Sequence, residues 1–140
     1  MVSPSFTRLA VSVSILLAAV GTQALGINCR GSAFCDKALN GAVNGYEADT
    51  LTQFINGIDE NRWYNNGEQI ACFEPSHICA FLQNTGGSWG KNIKGLAHYI
   101  KDHGCKTCGS VPYFYPGNNN VDDGMLTYNY VRSACGHGLC

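Results

Sequence analysis

Apolar residues recur with a helical period in two stretches of the chain. Leu51, Phe54, Ile55 and Ile58 stand at i, i+3, i+4 and i+7. That spacing lines one face of an amphipathic helix. Asp49 or Thr50 is available as its N-cap, and Gly57 weakens its last turn. In the second stretch Trp89, Ile93, Leu96 and Ile100 share a face, with Ala97 adjacent. Ser88 is placed to cap this helix, Lys101 suits its C-terminal dipole, and Gly104 stands where a glycine past the last turn would end it.

Between and after the helices the pattern shortens. Ile70-Ala71-Cys72-Phe73 reads as a strand, Glu74-Pro75-Ser76 breaks it, and 77–83 resumes, so the pair reads as a hairpin. Residues 125–132 alternate, with Leu126, Tyr128 and Tyr130 on one side, and read as a half-buried strand. Turn signals at Asn40-Gly41, Asn44-Gly45, Asn65-Asn66-Gly67 and Gly86-Gly87 punctuate the rest. Residues 25–44 read as an extended segment and 112–120 as a loop rich in Tyr, Pro and Asn. Two helices with three or more strands, in this order and without an internal repeat, predict an α+β domain. Its helices should pack on one face of a mainly antiparallel sheet.

The first residues change the picture of compartment. One positive charge, Arg8, precedes an apolar run over 9–20, and Thr22-Gln23-Ala24 supplies small residues at −3 and −1 of a cleavage site. This is the pattern of a secretory signal peptide. The run falls short of the roughly 20 apolar residues of a membrane span. We therefore expect a signal peptide over 1–24 and a secreted, extracellular domain over 25–140. All eight cysteines (Cys29, Cys35, Cys72, Cys79, Cys105, Cys108, Cys135 and Cys140) lie after the leader. An even count in an exported domain of this size reads as a disulfide framework. Spacing alone leaves about 105 pairings open.

Charge excludes some partners. Without Arg8, eight Lys and Arg face ten Asp and Glu, a net charge of −2 with histidines neutral. There is no basic run for nucleic acid and no polybasic patch for an anionic membrane. No second apolar stretch suggests stable insertion. A monomer is expected, without cofactor or metal.

Candidate chemistry is thin. Cys105-Lys106-Thr107-Cys108 is a C-x-x-C, but it follows a helix C-terminus, where the dipole disfavours a thiolate. Two structural half-cystines with different partners are the better reading. His98 and His103, five apart on a helix, face different directions and make a poor zinc pair with these cysteines. Asp59-Glu60 and Asp122-Asp123 read as solvated turn charges, and no nucleophile elbow or phosphate loop is present. No catalytic residue is assigned. Tyr113-Phe114-Tyr115 is a loop cluster that can serve recognition.

Three blocks carry a resemblance. They are Leu25-Gly26-Ile27-Asn28-Cys29-Arg30-Gly31-Ser32 with Cys35; His103-Gly104-Cys105-Lys106-Thr107-Cys108-Gly109-Ser110; and Gly124-Met125-Leu126-Thr127-Tyr128-Asn129-Tyr130-Val131 with Cys135. In this order they resemble the killer protein 4 toxins, virus-encoded fungal killer toxins and their fungal relatives. Residues 41–88 match only loosely. The resemblance implies a single-domain, non-enzymatic α/β sandwich, secreted by a fungus. It implies an antifungal toxin with a cell-surface target, inhibiting calcium uptake through voltage-gated calcium channels. It also implies that Cys29 and Cys35 pair with Cys105 and Cys108, and Cys72 with Cys135. Cys79 and Cys140 have no family counterparts and would then pair with each other.

Two departures matter. The toxins are basic, and they carry a basic residue tied to activity just before the cysteine matching Cys72. Here that stretch is Glu68-Gln69-Ile70-Ala71. Arg62, Lys91 and Lys94 are the candidate replacements, provided the fold brings them to that surface. The alternative on the same scaffold is a secreted effector or cell-wall-associated binding protein without channel activity. An enzyme, such as a small hydrolase, is a weaker third class.

Overall fold

The structure, a computed structural model, describes Val2 and residues 25–140; the rest of the proposed leader lies outside the described residues. The elements run α1 (Glu47–Asn56), β1 (Trp63–Tyr64), β2 (Ala71–Phe73), β3 (Ile78–Gln83), β4 (Ser88–Trp89), α2 (Gly90–Asp102), β5 (Gly109–Pro112), β6 (Met125–Tyr130) and β7 (Gly138–Leu139). Five strands form an antiparallel sheet in the order β5-β6-β3-β2-β7, and β1 pairs with β4 in a separate ribbon. Helix α1 packs on β2, β3 and β7, α2 packs on β5 and β6, and the helices pack on each other. The α+β expectation, two helices on an antiparallel sheet in a disulfide-rich domain, matches this architecture.

Strand parity explains the layering. Ala71, Phe73, Ile78, Ala80, Leu82, Val111, Leu126 and Tyr128 join the core beneath the helices with Leu51, Ile55, Ile93, Leu96 and Ile100. The alternate residues Cys72, Cys79, Ser110 and Thr127 take the other face, where the Ser110 hydroxyl donates to Thr127 Oγ1 at 2.7 Å. The hairpin is where the apolar pattern put it, with a 3₁₀ turn over Glu74–Ser76 and His77 in the left-handed region (φ 55°).

Several local expectations are corrected. Helix α1 begins at Glu47, ahead of the expected caps Asp49 and Thr50. The buried Glu47 carboxylate accepts the backbone N–H groups of Asn44 (2.7 Å) and Gly45 (2.9 Å), which fixes the chain entry with Tyr46, and not Asp49 or Thr50, at the cap position. Asp49 then faces Lys101 of α2 at 2.6 Å. That ammonium holds the Asp49 carboxyl below the usual carboxylate range. Ser88 is paired in β4, and its hydroxyl meets Tyr113 OH at 2.8 Å instead of capping α2. Trp89 does not join the apolar face of α2; it is 50% exposed. At the other end Gly104 has φ +93°, as a glycine past the last helical turn requires.

The disulfides are Cys29–Cys105, Cys35–Cys108, Cys72–Cys79 and Cys135–Cys140. The first two follow the family analogy and staple the N-terminal segment to the turn after α2. The pairings Cys72–Cys135 and Cys79–Cys140 are not formed. Cys72 lies directly opposite Cys79 in the β2–β3 register, so the hairpin itself brings them together. The remaining two sit five residues apart and close the C-terminal loop. Cys140 is nevertheless near, its sulfur 3.9 Å from that of Cys72.

Tyr128 is fully buried, with its hydroxyl 3.0 Å from Thr52 Oγ1 of α1. Burial raises its phenol well above the usual 10.0. A raised folded pKa means this contribution is whole below pH 10.0 and is lost as pH climbs above it. We expect Tyr128→Phe to cost about 1–2 kcal/mol at neutral pH and to blunt alkaline unfolding. Urea titrations at neutral pH and above pH 10 check both.

Candidate functional site

The three candidate cations converge on one junction, where the turn before β1 meets the start of α2. The Gly90 N–H donates to the Arg62 carbonyl at 2.8 Å, and the Lys91 N–H donates to the Glu60 carbonyl at 3.1 Å. Gly90 allows this approach, because a Cβ there would run into the Asp59 carbonyl oxygen. The sequence 59–62 is held in a turn of its own, with Asp59 accepting the backbone N–H of Asn61 at 2.9 Å.

Their head groups part from this common root. Lys94 Nζ lies 2.9 Å from Glu60 Oε1. Lys91, three residues earlier on α2, has no ion pair among the described residues. The Arg62 guanidinium points the other way, stacked 4.3 Å over the Tyr64 ring. It donates to Glu68 Oε2 at 2.9 Å and to the Cys140 carbonyl at 3.0 Å. Cys140 in turn donates its N–H to the Ile70 carbonyl at 2.9 Å. Arg62 thus brings a charge to the 68–71 stretch from outside it. Its side chain is 43% exposed, and that of Glu68 31%. Arg62 and Lys94 therefore do not share one patch; Arg62 alone reaches the surface before Cys72.

The acidic pairs serve local structure. Glu60 holds Lys94, and Asp123 accepts from Asn118 Nδ2 at 2.8 Å beside β6. Cys105 and Cys108 have separate partners in the disulfide network. His98 meets Asp102 on the exposed side of α2.

One feature escaped the sequence pattern. Trp63 and Trp89 face each other across the β1–β4 ribbon, with ring centroids 5.2 Å apart and planes at 80°. They are 42% and 50% exposed. The helical period absorbed Trp89 because position 89 is in phase with Ile93; the helix begins one residue later and turns the side chain outward. The available signal was Trp63 beside Tyr64, since two adjacent aromatics in an extended segment take opposite faces and one of them must point outward.

Comparison with known proteins adds an independent observation. The family model Kp4 matches residues 10–132. The KP4 killer toxin of Ustilago maydis P4 virus is 34% identical over 115 residues, covering 79% of this chain and 84% of the toxin.

Proposed function

The chain belongs to the Kp4 family of killer toxins, and on that premise we propose a secreted killer-toxin-like protein that inhibits calcium uptake through voltage-gated calcium channels of susceptible cells. Export uses the leader over 1–24, and the mature protein works as a monomer that binds its target and makes or breaks no bond.

The position of Arg62 is the observation that supports this reading. Its guanidinium stands beside Glu68 and is linked through Cys140 to Ile70. This is the stretch where the resemblance implies a working cation. Cation-channel mouths carry acidic rings, and a fixed positive charge blocks or screens them by placement. The Arg62–Glu68 pair is partly solvated and worth little. The guanidinium can exchange Glu68 for a carboxylate of the target at small cost, and its planar fork suits that exchange.

Charge reversal tests this. The oxidised protein, recovered from the medium after expression of the full chain, is applied to fungal and root cells. Arg62→Glu should weaken growth inhibition about tenfold or more. Lys94→Glu, whose ion pair is with Glu60 and not with the 68–71 stretch, should change it less than about threefold. Equal potency of Arg62→Glu and wild type would refute the assignment.

A further inference from the structure

The paired tryptophans form an exposed aromatic corner, and we infer that it holds a pyranose ring of a neutral cell-surface polysaccharide. The inference rests on the geometry of this corner and not on the calcium-channel reading.

Trp63 and Trp89 meet edge to face, so one indole forms a floor and the other a wall. The corner is built rigidly. Trp63 Nε1 donates to Asn65 Oδ1 at 3.2 Å, and its ring lies against Gly87, where a Cβ would sit 2.6 Å from Cζ2. Trp89 is fixed by its cross-strand partnership with Trp63 and by the docked start of α2. Preorganised rings bind with little loss of side-chain entropy.

Beside Trp89 lies a cavity of about 350 Å³, lined also by Glu60, Asn61, Lys91 and Asn92. That volume accommodates one or two hexose rings. Its polar groups have unused capacity. Asn61 makes no side-chain hydrogen bond among the described residues, Asn92 uses only its Nδ2, toward Ser88, and Lys91 has no ion pair. Glu60 commits one carboxylate oxygen to Lys94, leaving the other.

A sugar ring matches this set in both respects. Its axial C–H face is apolar and electropositive and lies on the electron-rich face of an indole. Its hydroxyls each donate and accept, and planar amides with a carboxylate and an ammonium answer both roles. Other occupants fit less well. Each strand of the ribbon is two residues long, too short to template an added peptide strand. The rim of Glu60, Asn61 and Asn92 is polar and Lys91 is the one cation lining the cavity, so a lipid surface finds no basic cluster there.

The test needs no target cell. The oxidised full-chain product is incubated with insoluble β-glucan, chitin, cellulose and mannan, and with phosphatidylcholine and phosphatidylserine vesicles, and the bound fraction is measured. Trp63 and Trp89 are the chain's two tryptophans, so fluorescence during titration with soluble oligosaccharides of the retained polymer reports on this corner alone. We expect retention on at least one polysaccharide and a shift in emission. Trp89→Ala should weaken binding about tenfold and Asn61→Ala a few-fold. Asn61→Ala leaves both indoles and the ribbon in place, so its effect separates ligand contact from misfolding. Retention on vesicles alone, retention on none of the polymers, or binding that Trp89→Ala and Asn61→Ala leave unchanged would overturn the inference.

Discussion

Removing Cys29–Cys105 and Cys35–Cys108 together should cost about 7 kcal/mol, and removing either one only about 2.5 kcal/mol. The two bridges close loops of 76 and 73 residues, and each alone would restrict the unfolded chain by about 4.5 kcal/mol. They run side by side, however, between the same two segments. Once one is closed, the other closes a ring on the order of ten residues, worth about 2.5 kcal/mol. The loss of both is comparable to the whole stability of a domain this size. The quadruple serine variant should therefore fail to fold, while each double variant folds with a lowered urea midpoint. The folded state gives the same answer. The N-terminal segment has one 3₁₀ turn of its own, over Ala33–Cys35, and covers the β5 edge through an Asn28–Ser110 bridge. Without its staples that edge is exposed. A quadruple variant that folds as stably as either double variant would contradict this.

The second large effect is at Gly90. Alanine there should destabilise the fold by about 3 kcal/mol, although alanine is the better helix former. Its methyl group would strike the Asp59 carbonyl oxygen and lie 3.3 Å from the Glu60 Cα, both backbone atoms with no rotamer to yield. The turn over 59–62 must then move off α2. The Gly90–Arg62 and Lys91–Glu60 backbone bonds break, and Arg62 and Trp63 move with them. Gly95 provides the control on the same helix. A Cβ there meets nothing within 4 Å, so Gly95→Ala should stabilise by up to about 1 kcal/mol. Urea unfolding compares the pair. A neutral Gly90→Ala would show that the junction tolerates separation.

The same junction shows which features periodicity reveals. Helix α2 and the β2–β3 hairpin were legible because their apolar residues repeat over several turns or across a break. The two-residue strands β1, β4 and β7 were not, since two residues cannot display a period. Strand β5 was hidden behind the C-x-x-C and a proline at its end. The Cys72–Cys79 pairing was within reach. Those cysteines flank Glu74-Pro75-Ser76 almost symmetrically, and a hairpin centred there sets them opposite each other. Family analogy pointed elsewhere, to a Cys135 that the fold does bring near Cys72, with the Cys72, Cys135 and Cys140 sulfurs within 4.8 Å of one another. Arg62 stood among three candidate cations in the sequence, but its placement beside residues 68–71 was not legible, for a different reason. Its contact with Cys140 spans 78 residues and depends on β7 joining the sheet edge. No local pattern encodes that closure.

Calcium uptake by susceptible fungal cells, followed with a tracer in the presence of the oxidised secreted protein, tests the central claim most directly. The account predicts a dose-dependent fall in uptake that excess external calcium relieves and that Arg62→Glu weakens about tenfold or more, while Lys94→Glu retains it. Unchanged uptake at micromolar protein, or a fall that Arg62→Glu reproduces in full, would contradict it.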